Sequence, residues 1–377
     1  MLKILFTGGG SGGHIFPLVA VSEELACCEH NSGSKLSLHY LGASGKFSVV
    51  LENNGILVHS VAGGKFRNYF SILNYLDFLK IFFSFIQSFF KMYFLMPDVL
   101  FSKGGTSALP VVIAARFYRV PVIIHDSDAI PGRTNRISGI FASRIAISFK
   151  NAYKFFAKEK TAFTGNPIRA EFFKPAEDKN VLLQELGFKK DIPLILVLGS
   201  SQGAARVNDF IFSVAPMLLE KFQVLHQVGM KNIQSAEIEQ GSIIQGLADD
   251  KKELYKVSPF LEDDYATAIK AADLVISRAS SGAIFEIAAA GKPSILIPLP
   301  LSAQDHQREN AYEYASTGAT LIIDEENLLP NILFEQIVKI LDAPETQEAM
   351  SRAARSFARP DAAKIIAEEI LRLALRK

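Results

Sequence analysis

The sequence predicts an α/β protein of two similar domains, each a parallel sheet covered by helices. Three observations carry this. Short apolar runs alternate with helical patterns through most of the chain. A strand–glycine–helix unit opens each half. The length of 377 residues suits two domains at roughly 100–200 residues each.

Residues 3–6, 99–102, 120–125, 194–198, 274–277 and 294–297 read as strands. They are short and rich in Val, Ile and Leu, as strands buried on both faces are. Helical patterns lie between them, for example over 16–26 and 283–290. Thr164-Gly165-Asn166-Pro167-Ile168-Arg169 is punctuated by Gly and Pro and reads as a junction. The expected division is 1–165 and 166–357, with an amphipathic helix within about 358–377 packing back on the first domain. The stretch 174–190 reads as a charged, exposed linker. Two Rossmann-like halves of this kind are expected to face each other across a cleft, with ligands at the carboxyl ends of their strands.

Forty Lys and Arg stand against 39 Asp and Glu, which argues against general nucleic-acid binding. An anionic partner must be met by local basic patches. The two cysteines, Cys27 and Cys28, are adjacent. They suggest neither a disulfide framework nor zinc spacing, and fit a reducing compartment. The apolar start breaks into glycines after Phe6, too early for a signal peptide.

One segment is unusual. Residues 69–96 hold Phe70, Phe78, Phe82, Phe83, Phe85, Phe89, Phe90 and Phe94. Asp77, Lys80, Ser84, Gln87 and Lys91 recur at helical spacing and mark one polar face. Their charges make insertion into a bilayer costly. The segment reads as an amphipathic helix with a wide apolar face, lying on a lipid surface, packed as a core helix, or spanning a membrane; periodicity alone does not separate these.

Five stretches carry the chemistry. Gly8-Gly9-Gly10-Ser11-Gly12-Gly13-His14 follows the first strand and leads into a helix. Glycines allow close approach of backbone to a ligand, and the helix start favours an anion. A dehydrogenase would want an acidic residue ending strand two, but that strand ends near Tyr40-Leu41-Gly42. Lys103-Gly104-Gly105-Thr106-Ser107 repeats the device after the strand 99–102, and Gly199-Ser200-Ser201-Gln202-Gly203-Ala204 opens the second half with it. Each alone is a tight turn; three together point to two phosphate-bearing ligands. Arg278-Ala279-Ser280-Ser281-Gly282-Ala283-Ile284-Phe285-Glu286 places a carboxylate in what reads as the first turn of a helix, suited to a ribose or to plain capping. Asp305-His306-Gln307-Arg308-Glu309-Asn310 gathers side chains that suit sugar recognition, or a solvated helix start.

In this order the five stretches resemble the bacterial undecaprenyl-diphospho-muramoylpentapeptide N-acetylglucosaminyltransferases, from Phe6 to about Asp324. The segments 125–135 and 164–169 match as well. The resemblance implies the GT-B fold, with acceptor in the N-terminal half and donor in the C-terminal half. It implies transfer of N-acetylglucosamine from UDP-N-acetylglucosamine to the muramoyl 4-hydroxyl of an undecaprenyl-linked muramoyl peptide. Anionic membrane surface and other cell-wall enzymes are the further partners implied, at the cytoplasmic face of the cell membrane.

On the donor side the resemblance implies that Ser201, Gln202 and Gly203 hold a phosphate, with Arg169 near the nucleotide. Leu261 would read the uracil edge through its backbone. Ser281, Gly282, Ala283, Ile284 and Phe285 would line the diphosphate and sugar, and Glu286 would bind the ribose. His306, Gln307 and Asn310 would recognise the sugar hydroxyls. On the acceptor side it implies Ser11, Gly12, Gly13, Gly104, Gly105, Thr106 and Asn135. The family pattern His-Glu-Gln-Asn is here His125-Asp126-Ser127-Asp128, so a donor amide becomes an acceptor at Asp128.

An α-linked donor and a β-linked product mean inversion by one displacement. His14 is the expected base, with Asp126 and Asp128 as rivals, and a phosphate-positioning role for His14 as the bland alternative. Asp249-Asp250 and Asp263-Asp264 read as solvated surface, so no metal and no cofactor is expected. A related diacylglycerol glycosyltransferase, a UDP-sugar epimerase and a non-enzymatic UDP-sugar binder are the rival functions. The last two have no use for two glycine loops on the acceptor side.

Overall fold

The computed structural model describes the chain apart from residues 33–34, 62–72, 175–177, 200–204, 262–263, 301 and 377; for 31–32, 46 and 73–81 only the backbone is described. The chain divides into two compact units: Met1–Ala170 with Arg359–Lys377, and Glu171–Ala358.

The first unit is a seven-stranded sheet. Its strands are β1 (Leu2–Thr7), β2 (Leu36–Gly42), β3 (Leu57–Ser60), β4 (Val99–Ser102), β5 (Val122–Asp126), β6 (Arg144–Ile147) and β7 (Thr161–Phe163). The order is β3-β2-β1-β4-β5-β6-β7, with every neighbouring pair parallel. Alternate residues serve opposite faces, as strand geometry demands. Ile4, Phe6, Val99 and Phe101 enter one core cluster; Leu5, Leu100, Val122 and Ile124 enter the other. The C-terminal helix Ala362–Ala374 packs on the helix Gly12–Ser32 and gives Ile366, Ile370 and Leu373 to the first of these clusters.

The second unit is a six-stranded parallel sheet. It comprises β8 (Leu194–Leu198), β9 (Gln223–Gln227), β10 (Tyr255–Ser258), β11 (Leu274–Ser277), β12 (Ser294–Leu296) and β13 (Thr320–Ile322), ordered β10-β9-β8-β11-β12-β13. The stretch 174–190 departs from the exposed linker the sequence suggested. Within it the helix Lys179–Glu185, capped by Asp178 accepting from the Asn180 amide at 2.9 Å, buries Leu182 and Leu183. Its Lys179 pairs with Asp273 at 2.6 Å. Two leucines and an ion pair dock it, despite its charge.

Both sheets reverse strand order at one point, between β1 and β4 in the first and between β8 and β11 in the second. Thr7 pairs with Ser102 there, and Leu198 with Ser277. The turns leaving these strands therefore lie side by side, and such switch points are where open parallel sheets bind ligands.

The aromatic segment corrects the sequence reading. The helix Leu73–Leu95 is present; of the expected polar face Gln87 is exposed and Lys91 half-buried, but Ser84 turns inward. Ser84 and Ser88 are buried, while Phe82, Phe83, Phe90, Tyr93 and Phe94 are more than half exposed. The two serines are small enough to let this helix sit against the helix Ala108–Phe117. Phe89 stacks edge-on to Phe117 at 5.2 Å. Phe70 and the Asp77 and Lys80 side chains lie outside the described residues. Among the described residues no helix is long and apolar enough to cross a membrane.

Candidate active site

At the first switch point the glycine turn after β1 and the one after β4 interlock. Gly104 and Gly105 have φ of 81° and 89°, open to glycine and strained for other residues. A Cβ on Gly105 would stand 2.8 Å from the Gly9 Cα, and one on Gly9 would stand 2.9 Å from His14 Nδ1. Close approach, rather than left-handed backbone, is what the first loop requires of Gly9. The Gly8 carbonyl is held inward by the Tyr40 hydroxyl and Ser107 Oγ, each donating at 2.9 Å. Ser11, Gly12 and Gly13 open the helix Gly12–Ser32, and Thr106 lies in the turn before the helix Ala108–Phe117.

His14 stands in the first turn of its helix, with Ser11 Oγ 2.7 Å from its Nδ1. Burial, and then the Lys103 ammonium, pull its pKa down to about 4, against an upward pull from Asp128. From β5 and the loop after it come His125, Asp126, Ser127 and Asp128. The Asp126 carboxylate accepts from Asn135 Nδ2 at 2.8 Å and from the Asp128 amide at 3.0 Å. Burial and the neighbouring Asp128 carboxylate nevertheless raise its pKa. Asn135 is buried and also donates to the His125 carbonyl at 3.0 Å.

The side chain that ties this cluster together is Lys103, which is 3% exposed. Its Nζ donates to His125 Nδ1 at 2.6 Å, to Asn166 Oδ1 at 3.3 Å and to Ser127 Oγ. The sequence showed Lys103 only as the first letter of a glycine motif. The signal was a lysine ending a fully buried strand, where an ammonium needs a ring of acceptors.

At the second switch point Gly199 follows β8, and the loop carrying Ser201, Gln202 and Gly203 lies outside the described residues. Gln227 at the end of β9 links the neighbouring turns: its Nε2 donates to the Gly199 carbonyl at 2.9 Å and its Oε1 accepts from the Leu261 amide at 3.1 Å. Sequence reasoning did not single out Gln227. Ser280 caps the helix Ser281–Ala289 by accepting from the Ala283 amide at 3.4 Å. Glu286 therefore sits in the second turn, not the first, and is not a capping group. Its Oε2 accepts from the Tyr265 hydroxyl at 2.9 Å. Ser281, Ile284 and Phe285 are buried, so the side chains of Ile284 and Phe285 belong to the core, and Gly282 and Ala283 are the half-buried residues at the helix start.

The turn after β12 contains Gln304 and Asp305, both left-handed, with φ of 58° and 56°. Two such non-glycine residues in succession store strain of the kind that gathers at ligand sites. His306 Nδ1 donates to the Ala303 carbonyl at 2.8 Å, and Gln307 Oε1 accepts from the Leu299 amide at 3.0 Å. Asn310 is fully buried and donates to the Ala279 carbonyl at 3.4 Å, so it supports the turn before the helix Ser281–Ala289. Arg278, at the end of β11, forms a buried pair with Glu325 at 2.5 Å. Arg169 lies in the first unit, its guanidinium 4.8 Å above the Phe16 ring.

Two parallel-sheet Rossmann-like domains, each with its working turns at the switch point, define a GT-B protein. Residues 4–147 match the glycosyltransferase family 28 N-terminal domain, and residues 194–366 match its C-terminal domain. A Bacillus cereus protein, UDP-N-acetylglucosamine–N-acetylmuramyl-(pentapeptide) pyrophosphoryl-undecaprenol N-acetylglucosamine transferase 2, is 34% identical over 342 residues, covering 90% of this chain and 92% of its own. The crystal structure of Acinetobacter baumannii MurG aligns with a TM-score of 0.72 at 25% identity, over 99% of this chain and 100% of that one. The Neisseria meningitidis UDP-GlcNAc 2-epimerase, bound to UDP-GlcNAc, aligns with a TM-score of 0.70 over 98% and 100%, but at 15% identity; that likeness is one of fold. The chain belongs to glycosyltransferase family 28, in its group of MurG-type N-acetylglucosamine transferases, and is a glycosyltransferase.

Proposed function

We propose that this enzyme moves N-acetylglucosamine from UDP-N-acetylglucosamine to the 4-hydroxyl of undecaprenyl-diphospho-N-acetylmuramoyl-pentapeptide, with inversion, in peptidoglycan synthesis. The relatives' names support the substrates. The observation that carries the chemistry is the gathering of one imidazole and two carboxylates around interlocked glycine turns at the first switch point.

In the proposed step the acceptor hydroxyl oxygen bonds to the anomeric carbon as the bond to the UDP β-phosphate oxygen breaks. UDP leaves with the electron pair, and the hydroxyl proton passes to His14 Nε2. That nitrogen is available when Nδ1–H donates to Ser11 Oγ. Asp126 and Asp128 are the alternative proton acceptors. Amides of Gly12 and Gly13, at the start of the helix, with Gly105 and Thr106, receive the lipid diphosphate; the Gly104 amide donates to Ser102 Oγ at 3.2 Å and shapes the turn, and Asn135 fixes the carboxylate loop.

For the donor, the start of the helix Ser281–Ala289 faces the diphosphate with its partial positive charge, together with Ser201, Gln202 and Gly203. The Leu261 amide is already engaged by Gln227, which leaves the uracil to its carbonyl. Glu286 Oε1 binds the ribose while Tyr265 holds Oε2. Gln307 Nε2 donates to the sugar, because its Oε1 is occupied; His306 Nε2 accepts from a hydroxyl, because Nδ1 donates to Ala303. Asn310 acts by supporting the turn before the helix Ser281–Ala289. The exposed face of the helix Leu73–Leu95, with exposed Arg116 and Arg119 near it, docks the first unit on the cytoplasmic face of the membrane.

The test is acceptor choice. The muramoyl lipid should take up sugar, while its 4-deoxy analogue and diacylglycerol should not. Sugar appearing on diacylglycerol would favour the closest rival, and reaction of the 4-deoxy analogue would contradict the assigned hydroxyl.

A further inference from the structure

Lys103 is buried, titratable and outside the roles assigned above. Three elements supply its acceptors: His125 from β5, Ser127 from the loop after β5, and Asn166 after β7. The tautomer of His125 follows. Its Nε2 lies 3.0 Å from the Gly165 carbonyl, which only accepts, so Nε2 carries the hydrogen and Nδ1 accepts from Lys103. The ammonium thus meets three acceptors and fills its capacity. Next in sequence come Gly104, against Asn135, and Gly105, against Gly9 and His14. One side chain therefore stands where the glycine turn, the carboxylate loop and the imidazole converge.

We propose that Lys103 is a positioning residue for the transfer reaction: it pins the Asp126–Asp128 loop to the glycine turns, and its charge keeps the acceptor-side base free of its proton. This rests on the proposed role of that base. The groups acting electrically on His14 are Lys103 from the end of β4 and Asp128 from the loop after β5; Asp126 and His125 of β5 in turn feel Lys103. Lys103 itself is brought down to about 7, by burial first, while Asp126 and Asp128 pull it upward. The positive charge lowers both His14 and Asp126. Its removal therefore shifts the base the same way whichever of the two takes the proton.

The experiment compares Lys103→Met with the parent in kcat/KM for the muramoyl acceptor against pH, and in the His14 imidazole titration by proton–nitrogen NMR. Circular dichroism and the urea unfolding midpoint check folding, because the proposed UDP site lies in the second unit and Lys103 in the first. Losing the charge should move the acid limb, and the His14 midpoint, upward by about one pH unit, with UDP affinity unchanged. Lys103→Gln, which drops the charge and keeps hydrogen bonds, takes over if the methionine variant fails to fold. Lys103→Arg, which keeps the charge, should hold the parent's limb. Turnover falling by one factor at every pH, with limb and midpoint unmoved, would reduce Lys103 to a structural part and overturn the proposal. A parent that fails to use the acceptor at all would sink the functional reading instead, while the NMR midpoint still reports on Lys103.

Discussion

Ser11 Oγ lies 2.7 Å from His14 Nδ1, and this contact governs which ring nitrogen can take a proton. When Nδ1–H donates to the serine, Nε2 is left with its lone pair, on the side where Gly105 approaches. His14→Ala should lower kcat by about 10²–10⁴-fold, the range for a positioned base, and leave UDP affinity intact. Ser11→Ala should give a smaller loss of the same kind. With His14 held near 4 by burial and Lys103, kcat/KM should stay level well below the usual imidazole midpoint of about 6.5. A steady-state pH series reads this. A limb at 6.5 would mean an unperturbed imidazole and contradict the pull of burial and Lys103 on His14.

The donor assignments separate by ligand. Glu286→Ala removes the proposed ribose contact and should weaken UDP and UDP-N-acetylglucosamine alike. Gln307→Ala leaves the Leu299 amide without its acceptor and removes a sugar contact, so it should weaken the sugar nucleotide more than UDP. Calorimetric titration of both ligands decides it. Equal losses in the Gln307 variant would remove that residue from the sugar site.

Acid should weaken the second unit through His226. Its Nε2 meets Asn208 Oδ1 at 3.2 Å and its Nδ1 meets the Tyr255 hydroxyl at 3.0 Å. Asn208 Nδ2 is committed to the Val228 carbonyl, so Oδ1 faces the ring and Nε2 carries a hydrogen. Burial lowers its pKa from 6.5 to about 3. The unfolded chain takes up a proton below 6.5 and the folded one does not, so this stability is present above 6.5 and drains as pH falls toward 3. By about pH 5 the loss is about 2 kcal/mol. Urea unfolding at two pH values should show it, and His226→Gln should lack that part of the pH dependence.

Phe82, Phe83 and Phe90 point outward, so replacing all three by Ser should reduce sedimentation with anionic vesicles without loss of UDP affinity. Phe89 is the wrong choice for this test, because it packs on Phe117 and Tyr118. Salt should weaken binding only in part, since apolar burial is not screened. Full vesicle binding by the folded variant would contradict docking through this face.

The sequence located what local pattern encodes. The runs 99–102, 194–198 and 274–277 are strands β4, β8 and β11, and the turns after β1 and β4 meet because of the strand order. It did not reveal β9, whose Gln223, His226 and Gln227 look polar yet are buried. Gln223 is satisfied by the Lys189 and Ile192 carbonyls and His226 by Asn208 and Tyr255, partners distant in sequence. The same limit explains Lys103, whose acceptors come from β5 and beyond, and Glu286, whose helix begins at Ser281 because Ser280 caps it. The aromatic helix misled for another reason: small serines pack inward as readily as they face water, so polarity alone did not give the buried side.

The central claim is sugar transfer to a muramoyl lipid, and labelled sugar tests it most directly. UDP-N-acetylglucosamine carrying label in its sugar is incubated with the enzyme and undecaprenyl-diphospho-N-acetylmuramoyl-pentapeptide in vesicles, and the lipid is extracted. The account predicts label in the lipid, one sugar per muramoyl group in a β linkage, with UDP released in equal amount, and no label in the His14→Ala variant beyond about a hundredth of the parent. Label that stays in the water-soluble nucleotide sugar, epimerised or unchanged while the enzyme binds UDP normally, would contradict it.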